Sequence, residues 1–532
     1  MVGVSIALHL QKRGRDVVLV DRRGAGEETS YGNSGLIQRG GVIPYTFPRE
    51  FGVILSYAMN HRSDVVYHLS ALPRLAPWLF RYWQNATPER IGRSAQALAP
   101  LMAQCEAEHD ALIAEAGDAA GALVQRKGWI RCLRTEESLR RAIADARRLD
   151  KYGVDYTVLG GARLHELEPH VSEKVIGAIH FRGSPTSFDP GMLTKAYADL
   201  FVRRGGRFLN GDARRLTQEN SGWSLPSASG PIIAPEVVVA LGPWSDDVFL
   251  PLGYDIPLAV KRGYHMHYRA RGNATLSHPL HDGNGGYMLV PMSKGIRLTT
   301  GVEFADRDAP PSPIQLNRDE LLARGLFPLG ERLEPAPWMG RRPCFPDMVP
   351  VIGRGERHPG LWFAFGHAHH GFTLGPVTGR LLAEMMTGET PFARSVVLRG
   401  RPLPPLSVGD WRARQRASRR PKDMGGPLVR QRPRSSTAIR LTLGCPKRQR
   451  SSEDRHRSWS LLAGGQAHLG IVEIDSVLQI QPVLSRCAST AAIRAAISAV
   501  IAAWPLTMPL ICLRVTPQAS AKAAIETSCG AR

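Results

Sequence analysis

An arginine pair set among prolines and glycines is the densest piece of chemistry in this sequence: Trp338-Met339-Gly340-Arg341-Arg342-Pro343-Cys344-Phe345-Pro346-Asp347-Met348-Val349-Pro350-Val351-Ile352-Gly353. A guanidinium is a planar fork that meets a carboxylate through two parallel hydrogen bonds, and in a water-poor pocket it supplies direction as well as charge. The competing reading is a solvated arginine in a Pro-rich loop. Further on, Gly366-His367-Ala368-His369-His370-Gly371-Phe372-Thr373-Leu374-Gly375-Pro376 combines imidazoles with small residues just ahead of a helix. Backbone amides and a helix N-terminus in such a turn favour negative charge. The histidines are also metal-ligand types, but no carboxylate or cysteine cluster completes a site, so no metal is expected.

A second constellation opens the chain. Dinucleotide binding needs a strand, a GxGxxG turn opening a helix, and an acid at the end of the second strand about 20 residues later. Gly3, in VGVSIALHL, sits where the third glycine would, and Asp21 comes at the spacing of the acid that holds a ribose hydroxyl. On this reading the first strand and the two glycines that approach the pyrophosphate would lie ahead of Met1, which would weaken the hold on a nucleotide. A capped helix before a strand accounts for the same residues without one.

These groups must be positioned by regular elements. Val4, Ala7, Leu8 and Leu10 at helical spacing, closed by Gly14, predict a helix over residues 3–13. The run Asp16-Val17-Val18-Leu19-Val20-Asp21 has the look of a buried parallel strand, as does Glu236 to Leu241. Thr87 to Gly117 reads as a long amphipathic helix with Ile91, Ala95, Leu98, Met102 and Cys105 on one face. Strand and turn patterns over 121–310, including Gly128 to Leu133 and Gly263 to Tyr268, indicate a mixed α+β region. A strand at Leu361 to Phe365 and a helix from about Thr378 to Met386 come last.

Composition narrows the class. A chain of 532 residues, 43% of them hydrophobic, can bury a large core. The seven cysteines form no CxxC pair, which fits a reducing, cytoplasmic setting. No secretory leader is visible after Met1. Residues 411–532 contribute +14 of the formal charge of +21, so the basic balance belongs mainly to a segment with few apolar residues, expected to be disordered. Its aromatics are sparse and it has no helix-turn-helix or zinc pattern, so nucleic acid is not an expected partner. The uncharged run 495–513 is just long enough to span a membrane but is interrupted by Pro505 and Pro509.

From Asp21 onward the chain resembles a known family. VVLVDRRGAGEETSYGNSGLIQRGGVIP is similar to the segment of the FAD-dependent D-amino acid oxidase and dehydrogenase superfamily in which small residues line the flavin. Gly211-Asp212-Ala213 and Glu236 to Ser245 resemble its second FAD wall, 338–353 its "GxRP" segment, and 361–376 its C-terminal glycine and histidine turn. The order is the family's from Gly3 to about Pro391, and the D-amino acid dehydrogenase branch is the most similar. The resemblance implies non-covalent FAD held by Gly3, Asp21, Arg22, Thr29, Ser30, Asn33, Ser34, Gly35, Ala213, Ala240, Gly242, Trp244, Gly366, His367, Gly371 and Thr373. It assigns the substrate carboxylate to Arg342, with Tyr287 and His369 beside the substrate. Cys344 stands where a covalent flavin link is not expected.

The implied fold is a discontinuous Rossmann-like α/β FAD-binding domain without its first strand, from roughly 1–85, 155–240 and 335–395, with an inserted α+β substrate domain at 86–154 and 241–334. The implied reaction is oxidative deamination of a D-amino acid to a 2-oxo acid and ammonia. A membrane quinone or oxygen would take the electrons, and a quinone would place the protein peripherally at the inner membrane face. Alternatives are oxidation of sarcosine, glycine or hydroxyproline, or a catalytically impaired homologue.

Overall fold

The structure, a computed structural model, describes residues 1–393 apart from 61, 220–221 and 228–229. The basic stretch 411–532 and the uncharged run 495–513 therefore lie outside the described residues. Among the described residues no helix is long and apolar enough to cross a membrane.

Helix α1 (Val2–Gln11) buries Val4, Ile6, Ala7, Leu8 and Leu10, and the chain then turns at Gly14 with φ +73°. Each aliphatic side chain so buried is worth about 1.5–3 kcal/mol. Strand β1 (Val18–Asp21) comes next, and α2 (Leu72–Gln84) lies further along. The long helix α3 (Pro88–Ala116) starts at Thr87, whose Oγ1 accepts from the Arg90 N–H at 3.3 Å, and stops at Gly117 with φ +97°. Its buried face, Ala95, Leu98, Met102 and Cys105 among others, is the predicted one except that Ile91 is only partly buried. Helix α4 (Pro190–Arg203) leads to β2 (Arg207–Asn210), which runs parallel to β1 with Asp21 opposite Asn210. Strand β3 (Val237–Val239) lies beyond it in the chain.

Strand β4 (Ala259–Ala270) organises an eleven-stranded mixed sheet among the described residues. With it run β5 (Met288–Met292), β6 (Gly295–Thr299), β7 (Val302–Phe304) and β8 (Trp338–Cys344). The β4 register sets Lys261 opposite Phe304 on one side and opposite Arg342 on the other. Directly opposed residues project from the same face of a sheet, so these three side chains stand abreast. Strands β9 (Val351–Arg354) and β10 (Leu361–Phe365) then join β3, with β10 parallel to β3, and α5 (Gly375–Met386) closes the described chain.

The largest apolar cluster joins α1, α3, α4 and α5. Gly379 allows α5 to reach α1, because a Cβ there would stand 2.6 Å from the backbone C and O of Ser5. Two expectations change in degree. The strands around Val18 and Val238, expected to be buried, are mostly half-buried, because both border a large cavity. Helix α5 also begins three residues earlier than its sequence pattern, with Pro376 in its first turn.

Candidate active site

A continuous cavity of about 2260 Å³ runs from the C-terminal end of β1 to the face of β4 that carries Lys261. Gly3, Asp21, Arg22, Thr29, Ser30, Asn33, Ser34, Ala213, Ala240, Gly242, Trp244, Arg342, His367, His369 and Gly371 all line it. Residues separated by more than 300 positions are thereby brought to one wall.

At one end Asp21 closes β1 and accepts from the Arg23 N–H at 3.1 Å. The Arg22 guanidinium lies 3.9 Å from the centre of the Trp244 ring, a cation–π contact across the cavity mouth. The first turn of α1 has no side-chain cap, and its residues Val2 and Gly3 border the cavity at the positive end of the helix dipole. Gly3 packs on Leu19 and Ala240, where a Cβ would meet atoms at 3.6 and 3.8 Å, ordinary contact distances. Helix and strand packing therefore does not itself demand glycine here.

The loop carrying Thr29 to Gly35 is tied down by its own atoms. Asn33 Oδ1 accepts from the Gly35 N–H at 2.9 Å, and its Nδ2 donates to the carbonyl of His369 at 3.4 Å, linking two segments matched separately in the sequence. Gly35 itself does not line the cavity. With φ +75°, and with the Ser187 carbonyl where a Cβ would stand, it serves the loop's close approach to the neighbouring strand. Gly366 and Thr373 also sit behind the wall: Gly366 under the Phe345 ring, Thr373 donating to the Leu36 carbonyl at 2.9 Å.

At the other end Arg342 extends over Gly263, which has no side chain to obstruct it. Its Nη1 donates to the carbonyls of Gly301 at 2.7 Å and Arg262 at 3.4 Å and its Nη2 to the Thr300 carbonyl at 3.2 Å, fixing the plane of the fork. Arg341, next in sequence, pairs with Arg262 instead, and its Nε donates to the Arg307 carbonyl at 2.9 Å. His369 rests against Tyr45, with ring centres 5.5 Å apart, and its Nε2 is buried without a protein partner among the described residues. Burial, with His370, Arg342 and Lys261 nearby, holds its pKa well below the usual histidine value, so the ring is neutral.

Tyr287 does not belong to this group. It stands just before β5 and turns to the opposite layer, fully buried, with its hydroxyl 3.4 Å from Arg134 and its ring in a core with Leu280 and Leu289. Strand alternation sends its neighbour Met288 to the cavity and Tyr287 away from it.

Two residues escaped the sequence reading. Arg297 on β6 donates to the carbonyls of Tyr31 at 2.9 Å and Asn33 at 2.6 Å, fastening the loop to the sheet, and is backed by His267 and Glu334. Lys261 is 5% exposed inside the cavity wall, its Nζ 3.9 Å from the centre of the Tyr82 ring, and burial lowers its pKa to about 8. A Lys-Arg pair near the start of a strand run was the available signal, but the partners of Lys261 come from elsewhere in the chain.

Comparison with known proteins agrees with this architecture. Residues 1–385 match the family model described as DAO, FAD dependent oxidoreductase. The chain is 31% identical over 412 residues to a D-amino acid dehydrogenase of Methylobacterium radiotolerans, covering 74% of this chain and 94% of that one. It is 28% identical over 401 residues to a D-amino-acid oxidase of Bradyrhizobium diazoefficiens, covering 73% and 94%. Among solved structures, glycine oxidase from Geobacillus kaustophilus superposes with a TM-score of 0.58 at 21% identity, covering 75% of this chain and 96% of that one, a likeness of fold.

Proposed function

Since the chain belongs to the DAO family of FAD-dependent oxidoreductases, we propose that it oxidises D-amino acids at the α-carbon to imino acids, which water converts to 2-oxo acids and ammonia. The carrying observation is Arg342: a guanidinium in the cavity wall, fixed in plane by three carbonyls, with no carboxylate of the described protein within 4.0 Å. Such a group calls for an anionic ligand.

The residues present fit FAD. The cavity exceeds the roughly 300–1,000 Å³ typical of a site for a drug-sized ligand. Uncapped amides of α1 suit a pyrophosphate, and Asp21 a ribose. When bound, FAD supplies the acceptor for the hydride leaving the α-carbon. Cys344 is a buried thiol whose pKa burial raises, which disfavours the thiolate a covalent link would need and supports a non-covalent cofactor.

The chain's own groups do the rest. Arg342 takes the substrate carboxylate with two parallel hydrogen bonds and so fixes the direction of the α-carbon. His369, kept neutral, accepts a hydrogen bond from the substrate amine and favours its uncharged form. His367, buried, borders the same space and excludes water on its side. We assign the nucleotide half to 1–85, 155–240 and 335–395 and the substrate half to 86–154 and 241–334, except that Val65–Tyr67, Tyr156–Gly160, Gly177–Phe181 and Trp338–Cys344 pair into the sheet of the substrate half, while α3 packs on the nucleotide half.

The test is anaerobic mixing of the FAD-loaded protein with matched D- and L-amino acids and with sarcosine, monitoring flavin absorbance and 2-oxo acid. D-isomers should bleach the flavin with stoichiometric product. Bleaching by L-isomers or sarcosine alone would overturn the proposal. Adding a soluble quinone or oxygen to the reduced protein then identifies the acceptor.

A further inference from the structure

The floor of the substrate end carries two cations and no anion. Lys261 and Arg342 are direct cross-strand partners on one face of the sheet, and side chains so opposed have Cβ atoms about 4.5–5.5 Å apart. No carboxylate of the described residues lies within 4.0 Å of either; of the other buried cations, Arg262 has Glu303 at 2.7 Å and Arg297 has carbonyl and imidazole partners instead. The other ionisable groups against them carry no negative charge: burial pushes the Tyr82 hydroxyl and the Cys344 thiol up, although both cations pull the thiol down, and His369 is held neutral.

Lys261 is also short of hydrogen-bond acceptors. An ammonium has three donors. Among the described residues its one acceptor is the thioether of Met348 at 3.6 Å, a weak one. The rest of its surroundings are ring faces, Tyr82 at 3.9 Å, Trp78 at 5.5 Å and Phe304 at 5.8 Å. The polar atoms of two of these rings are turned elsewhere: the Tyr82 hydroxyl donates to the Tyr45 carbonyl at 2.8 Å and Trp78 Nε1 to the Pro257 carbonyl at 3.1 Å. The cage steadies a cation from its sides and leaves the ammonium's protons to whatever enters the cavity, which Lys261 lines.

We propose that Lys261 and Arg342 form a two-cation pocket selecting amino acids with a second acidic group, Arg342 holding the α-carboxylate and Lys261 the side-chain carboxylate. This rests on the oxidation reading above. A monocarboxylate leaves one buried cation unpaired, whereas a dicarboxylate of two to three intervening carbons pairs both, since that span matches neighbouring cross-strand side chains. Lys261 is thus a specificity-determining residue.

The test compares ligands that differ in the second carboxylate. In the FAD-loaded protein, D-glutamate should exceed D-norvaline in kcat/KM, and the Lys261→Met variant, similar in length and without charge, should lower that ratio ten- to a hundredfold, mainly through KM for D-glutamate. In parallel, calorimetric titration of succinate and butyrate should show succinate the tighter in the native chain, with the preference lost in Lys261→Met. An equal fall in kcat for both substrates would place Lys261 toward the flavin and overturn the proposal, as would wild-type protein that prefers D-norvaline and butyrate. If no amino acid reduces the flavin, the oxidation reading fails by itself, and the succinate preference still decides whether the two-cation pocket exists.

Discussion

Replacing Arg342 by lysine keeps the positive charge and removes the fork, a change whose cost can be worked from the groups around it. The native guanidinium is held over Gly263 by the carbonyls of Gly301, Thr300 and Arg262 at 2.7, 3.2 and 3.4 Å, which leaves the remaining N–H groups of Nη2 and Nε directed by the plane. A lysine ammonium has no plane to fix, so at best one hydrogen bond to the carboxylate survives and the α-carbon loses its orientation. Hydrogen bonds to charged groups contribute about 1.5–3 kcal/mol each, so losing one lowers kcat/KM about ten- to a hundredfold, and misalignment adds a fall in kcat. The assay is stopped-flow reduction of the FAD-loaded protein by a panel of D-amino acids. Arg341→Lys is the control, because Arg341 borders the same cavity but is engaged with the Arg307 carbonyl and faces Trp244. Small, equal effects from the two substitutions would remove Arg342 from substrate binding and refute the reasoning.

Packing and charge set other outcomes. Arg297→Met frees the carbonyls of Tyr31 and Asn33 and should weaken FAD binding about tenfold or more in a fluorescence titration; an unchanged Kd would show that the loop holds without that clamp. Gly379→Ala drives a methyl into the backbone of Ser5 and should cost about 1–3 kcal/mol in denaturant unfolding. Gly3→Ala, with ordinary contacts at 3.6 and 3.8 Å, should cost much less, and equal losses would contradict the helix contacts described. Lys261, with its folded pKa lowered to about 8, binds fewer protons folded than unfolded between pH 8 and about 10.4, so stability should rise with pH across that window. Lys261→Met should therefore be the more stable protein at pH 7, by up to about 3 kcal/mol, with the difference shrinking as pH climbs past 8; a pH-independent difference in melting would show that Lys261 is not buried as a cation.

Local signals in the sequence determined the local structure. The helix ending near Gly14, the long helix capped by Thr87 and stopped at Gly117, and the strands at 129–133 and 361–365 were legible because periodicity, caps and positive-φ glycines act over a few residues. The segments around 21–35 and 236–245 stood out too, since tight turns after strands restrict residue type within a short segment; that they border one cavity is seen only in the folded chain. Register and layer were not. Tyr287 looked like a site residue until alternation along its strand sent it into the opposite core, and the half-burial of β1 and β3 depended on a cavity that neither strand encodes. Arg297 reaches a loop more than 260 positions away. Lys261 acquires its meaning from Arg342, 81 positions later, through the antiparallel pairing of β4 with β8. The sequence specifies which residues can carry charge; the distance between two such charges is a property of strand register, which only the assembled sheet sets.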